Sequence, residues 1–339
     1  MIPIKKEFRK FTKSSFKEFV LGGDIGGTNT NIGVFGVKNK PELLFSFHFK
    51  SQQLKGLHRA VNYVLDYSKI TYNISITKAC FGVAGVVSAK GDFVKITNIR
   101  WNVSKSYLLR KTKLKKIILI NDFAAIGYSI NVLSKQDIAV IKKAKKIPKD
   151  PIAIIGAGTG LGKTTLIYNE QLNFYIPLAS EGGHLDFSAQ NQEELDLVNF
   201  FKRLKKMQNV TYENLLSGPG LVAIYSFLRK NKKVKHITPE LISKRRKTDS
   251  SCKATFEIFK SAYARFAKGV ALDSLAFGGI YIAGGIATKN KDLFDKKFIR
   301  MFIETHKLKH VLGKIPIYLI LNYDSGMIGA GFAASKLIK

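Results

Sequence analysis

Residues 157–164 read Ala-Gly-Thr-Gly-Leu-Gly-Lys-Thr, a phosphate-binding P-loop pattern with Ala where the first Gly would stand. In a P-loop a helix begins at the Lys-Ser/Thr pair, and its N-terminus forms part of the anion site. Here Lys163 is followed by TTLIYNEQLNFYIPL, which is β-branched and aromatic, lacks a helical period and turns at Asn169–Glu170. The pattern predicts a β-hairpin. Gly156, Gly158, Gly160 and Gly162 would let backbone N–H groups approach phosphate, with Thr159 beside them and Lys163 pointing outward along the strand. The stretch GGDIGGTNT at 22–30 follows the same logic. Gly26, Gly27, Thr28 and Asn29 can wrap phosphate oxygens, and Asp24, at a strand end, can hold Mg²⁺ directly or through water. A plain hairpin turn with an Asx cap would use the same residues, but the recurrence of the pattern in both halves favours phosphate. Asp122 ends the apolar run KKIILIND. A carboxylate there can act as a general base at a strand's carboxyl end, or cap the helix that follows. Asn121 can both give and accept hydrogen bonds. EGGH at 181–184 aims Glu181 and His184 from a tight loop; as a zinc pair they lack a third and fourth ligand nearby.

The elements that must carry these residues repeat. FVLGGDIGGTNTNIGVFGV (19–37) reads as strand, turn, strand, and ELLFSFHF (42–49) as a third strand. A helix follows with Leu54, Leu57, Val61, Val64 and Leu65 on one face, then the buried strands ITKACFGVAG and KKIILIND. The second half opens the same way, with PIAIIGAGTGLGKTTLIYN and a third strand in QLNFYIPLA. Helices follow in EELDLVNFFKRLKKM, GPGLVAIYSFLRK and the long ATFEIFKSAYARFAKGVALDSLAF. The strand GIYIAGG, the helix KDLFDKKFIRMFIETH and the strand IPIYLILN complete it. This is an internal duplication at a period far longer than a solenoid repeat. Residues 131–151 are the expected crossing between the halves.

At 339 residues, 45% of them hydrophobic, the chain can build about two cored domains. No apolar run suits a membrane span, and the basic N-terminal stretch lacks the apolar segment of a secretory signal. Two cysteines, Cys80 and Cys252, without metal-like spacing suit a reduced, cytoplasmic compartment and buried thiols. The net charge of +32 suggests nucleic acid, yet the basic clusters at 109–116, 142–146, 229–236 and 243–247 are spread along the chain without a recognisable motif. A diffuse positive field would still attract small anions such as nucleotides.

The stretches GGDIGGTN (22–29), ITNIRW (96–101), INDFAA (120–125), GAGTGLG (156–162), EGGHLDF (181–187), ENLLSGPGL (213–221) and YIAGGI (281–286) follow one another along almost the whole chain. In this order they resemble the bacterial-type glucokinases of the hexokinase/actin-like ATPase superfamily. The resemblance implies an α/β fold of two RNase H-like domains with an interdomain cleft closing on sugar and ATP. The small domain would be 1–132 plus 322–339, the large one 133–321. It also implies ATP- and Mg²⁺-dependent phosphorylation of glucose to glucose 6-phosphate, and suggests a homodimer. The chain departs from the family at GVAGVV (82–87), where a Cys-Pro pair is usual, at the ASEGGH lead into Glu181, and at Lys163. These departures leave a kinase for another hexose or an amino sugar as the alternative. The cysteine-rich zinc motif of the repressor/open-reading-frame/kinase group is absent, and residues 1–18 are too few for a helix-turn-helix domain, which argues against a sugar-responsive repressor. A non-catalytic nucleotide- or nucleic-acid-binding relative is the rival from another class, motivated by the charge and opposed by an intact Asp122.

By the same resemblance Asp122 is the base that accepts the sugar hydroxyl's proton. Asn98, Asn121, Glu181, His184 and Glu213 would bind the sugar, although Glu213 also reads as a solvated first-turn glutamate of a helix. Gly23, Asp24, Ile25, Gly26, Gly27, Thr28, Gly158 and Thr159 would hold the phosphates, with the metal on Asp24. Gly284 and Gly285 would lie near adenine and ribose, or else form a helix-packing pair. Trp101 reads as packing, and Asp186 and Asp324 as structural.

Overall fold

Two strands that close on the first glycine-rich stretch and are buried on both faces set the first sheet. The structure, a computed structural model, describes residues 3–96, 99–230 and 236–338. In chain order it begins with β1 (Ile4–Glu7), β2 (Glu18–Ile25), β3 (Asn29–Val37), β4 (Pro41–Lys50), α1 (Leu57–Tyr72) and β5 (Lys78–Val83). The short β6 (Phe93–Val94) and β7 (Val103–Ser104) come next, then α2 (Lys105–Lys111), β8 (Lys116–Asn121) and α3 (Asp122–Ser129). The sheet order is β1-β4-β3-β2-β5-β8, with β2, β5 and β8 parallel and the other pairs antiparallel. Ile25, Val83 and Asn121 stand level, so the loops after β2, β5 and β8 leave from one edge. Successive residues serve opposite cores: Leu21 and Val34 pack with Val61 and Val64 of α1, while Val20 and Phe35 pack with Met327 and Ala333 of the C-terminal helix Ser325–Leu337. Leu54 joins the first core from just ahead of α1. Phe174 meets Phe332 edge-on, with ring centroids 5.3 Å apart. Contacts group Met1–Ser134, Asn169–Ala179 and Asp324–Lys339 into this unit.

The second unit, Lys135–Tyr168 with Ser180–Tyr323, repeats the plan. The remaining elements are β9 (Ile138–Lys142), β10 (Ile152–Ala157), β11 (Leu161–Asn169), β12 (Phe174–Ser180), α4 (Gln192–Lys205), α5 (Tyr212–Leu215), α6 (Gly218–Leu228) and α7 (Pro239–Arg245). After them come α8 (Ser250–Ser274), β13 (Gly279–Ala283), α9 (Gly285–Lys289), α10 (Lys296–Ile303), α11 (Lys309–Lys314), β14 (Ile317–Ile320) and α12 (Ser325–Leu337). The strands of this unit run β11-β10-β13-β14-β9, so its hairpin and two parallel strands match β3-β2-β5-β8. An aromatic core of Phe259, Tyr263, Phe294 and Phe298 lies under α8 and α10.

Two local readings change, and one strand is new. Residues 131–151 are more than a crossing: β9 pairs antiparallel with β14, and its buried Lys142 ammonium donates to the carbonyls of Gly313 (2.6 Å) and Ile315 (2.8 Å). The helix read through KDLFDKKFIRMFIETH starts only at Lys296, because Asp295 accepts the Phe298 N–H at 2.9 Å and caps it. The exposed strand β1 had no apolar alternation to announce it. Cys80 and Cys252 are buried free thiols, and no helix among the described residues is long and apolar enough to cross a membrane.

Candidate functional site

In the first unit, pairing of Ile25 with Thr30 leaves Gly26–Asn29 as the turn. Ser51, just past β4, fastens it. Its N–H donates to Thr28 O (3.0 Å), its hydroxyl donates to Gly26 O (2.6 Å), and Thr30 Oγ1 lies 2.9 Å from that hydroxyl. Trp101 Nε1 donates to the Ser51 carbonyl at 3.2 Å, so the tryptophan braces the turn from its packed position. No motif marks Ser51; only the register of β3 on β4 brings it beside the turn.

Asp24 lies two residues ahead of the turn. Burial first, and then the negative charge of Asp324, push its carboxyl up to about 6 against a hydrogen bond from Asn31. The Asn31 amide donates to Asp24, so its Oδ1 accepts from His48 Nδ1 at 2.9 Å, and Ser46 Oγ donates to His48 Nε2 at 2.9 Å. Burial holds His48 below its ordinary value, which keeps the imidazole neutral in this chain of contacts. Asp324, read from sequence as structural, therefore belongs beside Asp24. Two carboxylates close enough to repel are a hard-oxygen pair whose repulsion a divalent cation would relieve. Among the described residues no three His, Cys, Asp or Glu side chains come together to hold a metal, so a cation here would complete its shell with water and phosphate oxygens.

Asp122 is the first residue of α3, on the same sheet edge as the Gly26–Asn29 turn. It is not the cap. Asn121 fills that post, its Oδ1 accepting from Phe123 N (2.8 Å) and Ala124 N (3.3 Å), while its Nδ2 reaches Gly85 O at 3.4 Å. The Asn121 oxygen is thus engaged, and the amide N–H is the side of Asn121 better placed to serve a ligand. Asp122 Oδ1 accepts from Phe123 N at 2.9 Å. Asn98 lies outside the described residues.

In the second unit, pairing of Ala157 with Leu161 leaves Gly158–Gly160 as the turn, and β11 runs straight on to Asn169. No helix starts at Lys163, and the P-loop geometry is absent. Lys163 does not point outward either. It shares the inward face of β11 with Leu161, is buried, and places Nζ 2.7 Å from Asp273 Oδ2 near the end of α8. Gly158 O accepts from Gly218 N at the start of α6 (2.8 Å). Gly284 sits beside the turn at φ +95°, where a Cβ would come within 2.6 Å of Ala157 O. Glycine is therefore required there for close approach of backbone, not for helix packing.

Three polar side chains converge nearby. His184 Nε2 lies 3.9 Å from Glu181 Oε2 and 3.8 Å from Glu213 Oε1. Glu213 lies in the first turn of α5, as that alternative had it, but is not simply solvated: its Oε2 accepts the Leu161 N–H at 2.9 Å, tying the group to the glycine turn. The loop that bears Glu181 and His184 lies directly on β11, since a Cβ on Gly183 would fall 2.0 Å from Leu161 O. Glu181 and His184 remain more than half exposed, open to a ligand rich in hydroxyls.

The sequence model of the family described as Glucokinase matches residues 21–337. A glucokinase of Nostoc sp. is 35% identical over 94% of this chain and 99% of its own length. The crystal structure of a glucokinase from an Antarctic psychrotroph superimposes with a TM-score of 0.78 at 28% identity, covering 94% of this chain and 99% of that one. A ROK-family glucokinase from Streptomyces griseus, in complex with glucose and AMPPNP, shares the fold with a TM-score of 0.59 at 20% identity, covering 94% and 99% of the two chains.

Proposed function

The chain is an enzyme of the glucokinase family, and we propose that it transfers the γ-phosphoryl group of ATP to the 6-hydroxyl of glucose with Asp122 as general base. One observation carries this reading: the strand-end register that sets Asp122 on the same edge as the Gly26–Asn29 turn and Asp24. A base beside a phosphate-wrapping turn is the arrangement phosphoryl transfer needs, since catalysis there is positioning plus charge stabilisation.

Asp122 accepts the proton of the sugar hydroxyl as the oxygen attacks phosphorus. Its carboxylate is steadied by the Phe123 N–H and by the rigid end of β8. Asn121 donates its amide N–H to a neighbouring hydroxyl. Glu181, His184 and Glu213 orient the remaining hydroxyls, with Glu213 referenced to the Leu161 backbone. Asn98, by resemblance, also serves the sugar. The backbone of Gly23–Thr28, and of Gly158 and Thr159, holds phosphate oxygens, while Gly284 and Gly285 let the nucleoside lie close to the chain. Asp24 would hold Mg²⁺, which supplies neutralisation of phosphate charge when bound. A glucose and ATP-analogue complex of a fold neighbour supports the choice of both substrates.

A coupled assay of the purified chain against glucose, other hexoses and amino sugars, with ATP and alternative donors, tests the reading. Glucose with Mg-ATP is expected to give the highest kcat/KM. Asp122→Asn should lower kcat by about 10²–10⁴-fold while glucose still binds by calorimetry. Near-normal turnover would remove Asp122 as base, and preference for another sugar would move the substrate.

A further inference from the structure

We propose that Lys163 is a positioning residue for the sugar: its methylene stem supports the Gly182–His184 loop from beneath, and its ion pair with Asp273 keeps the stem there. The inference rests on the assignment of Glu181 and His184 to sugar binding. The hairpin denies Lys163 the helix terminus on which a P-loop lysine depends. Its side chain is 10% exposed, whereas Asp273, 2.7 Å from Nζ, is 64% exposed. The charge is therefore delivered to the rim of α8 while the stem stays inside.

What the stem touches is the loop. A Cβ on Gly182 would come within 2.6 Å of Lys163 Cδ and 3.6 Å of Lys163 Cβ. The next residue, Gly183, rests on the Leu161 carbonyl. Leu161 and Lys163, two positions apart on one face of β11, thus form a two-point seat for a loop with Glu181 at one end and His184 at the other. One point of the seat is backbone; the other is a side chain, and only that one depends on residue type. An unpaired buried ammonium would be costly, and Asp273 offsets that cost while fixing where the stem lies. Small displacements of binding groups by residues outside a site can cost as much as ~10²-fold in activity, so a seat of this kind has functional weight.

Steady-state kinetics of the full chain with sugar and ATP varied separately test this, together with sugar binding by calorimetry, which needs no turnover. Lys163→Ala removes the stem and should raise the glucose KM and Kd about tenfold, leaving kcat and the ATP KM within about twofold. Lys163→Met restores the stem without charge and should return the glucose constants to within about threefold of the parent. Asp273→Asn, at an exposed helix end, should raise them about threefold by releasing the ammonium. The proposal is overturned if Lys163→Ala raises the ATP KM with glucose constants unchanged, if no constant moves, or if Met fails to restore. Failure of the functional assignment itself would show in the parent chain, as absent or misdirected sugar phosphorylation. Failure of this inference would show only as the pattern among variants.

Discussion

A carboxyl group pushed up to about 6 by burial and by Asp324 makes Asp24 costly to the metal-free fold at neutral pH. The folded chain holds that proton more tightly than the unfolded chain, where the group titrates near 3.8. Its contribution to stability is therefore greatest below pH ~4, declines between ~4 and ~6, and is lost above ~6. Asp24→Asn keeps the shape and removes the charge. With divalent ions chelated, that variant should be about 1–2 kcal/mol more stable than the parent at pH 7.5 and equal to it near pH 4; the full shift would give more, but Asp24 keeps partial solvent access. Urea unfolding at the two pH values reads the difference, and an equal gap at both would mean that the carboxyl is not held in this environment. Asp24 was legible in the sequence as a carboxylate at the end of an apolar strand. Asp324 was not, because nothing local in NYDSGM says that the opposite end of the chain meets it. Lys163 was misread for a related reason: strand alternation gives the face, not what covers it.

At the scale of elements, both glycine hairpins were visible because apolar and β-branched flanks close on turns made of Gly and Thr. The struts that stiffen them were not. Ser51 follows a strand end in SQQ, a place where serine ordinarily means a loop, yet its hydroxyl holds Gly26 O and meets Thr30. Ser51→Ala leaves its backbone bond to Thr28 and removes only the hydroxyl contacts. A loosened turn presents its N–H groups less well, so the ATP KM should rise about three- to tenfold with the glucose KM within twofold and a stability loss of about 1 kcal/mol. Initial rates and a melting curve decide it, and equal changes in both Michaelis constants would deny the turn a specific role. Edge strands were the other blind spot. IKKE in β1 and IAVIK in β9 are too short and too polar or uniform for a period to show, and sheet pairing at a distance makes them strands.

The whole molecule carries 56 basic against 24 acidic residues, far more cations than its acidic residues can pair. The basic clusters at 109–116 and 142–146 fall in different units, so neither unit alone carries the positive field. Such a field acts on a substrate according to its charge. Mg-ATP is an anion and glucose is neutral, so electrostatic attraction should assist one and ignore the other. Screening shortens the field from a Debye length of ~30 Å at 0.01 M salt to about 8 Å at 0.15 M. Raising KCl across that range should therefore lower kcat/KM for Mg-ATP several-fold while the glucose KM stays constant. Nonspecific DNA binding should fall away over the same interval, because counterion release drives it. A flat salt profile for ATP would show that the charge does not serve catalysis. Tight, sequence-specific DNA binding persisting at 0.15 M would instead revive a nucleic-acid role, since diffuse lysines alone carry no sequence information.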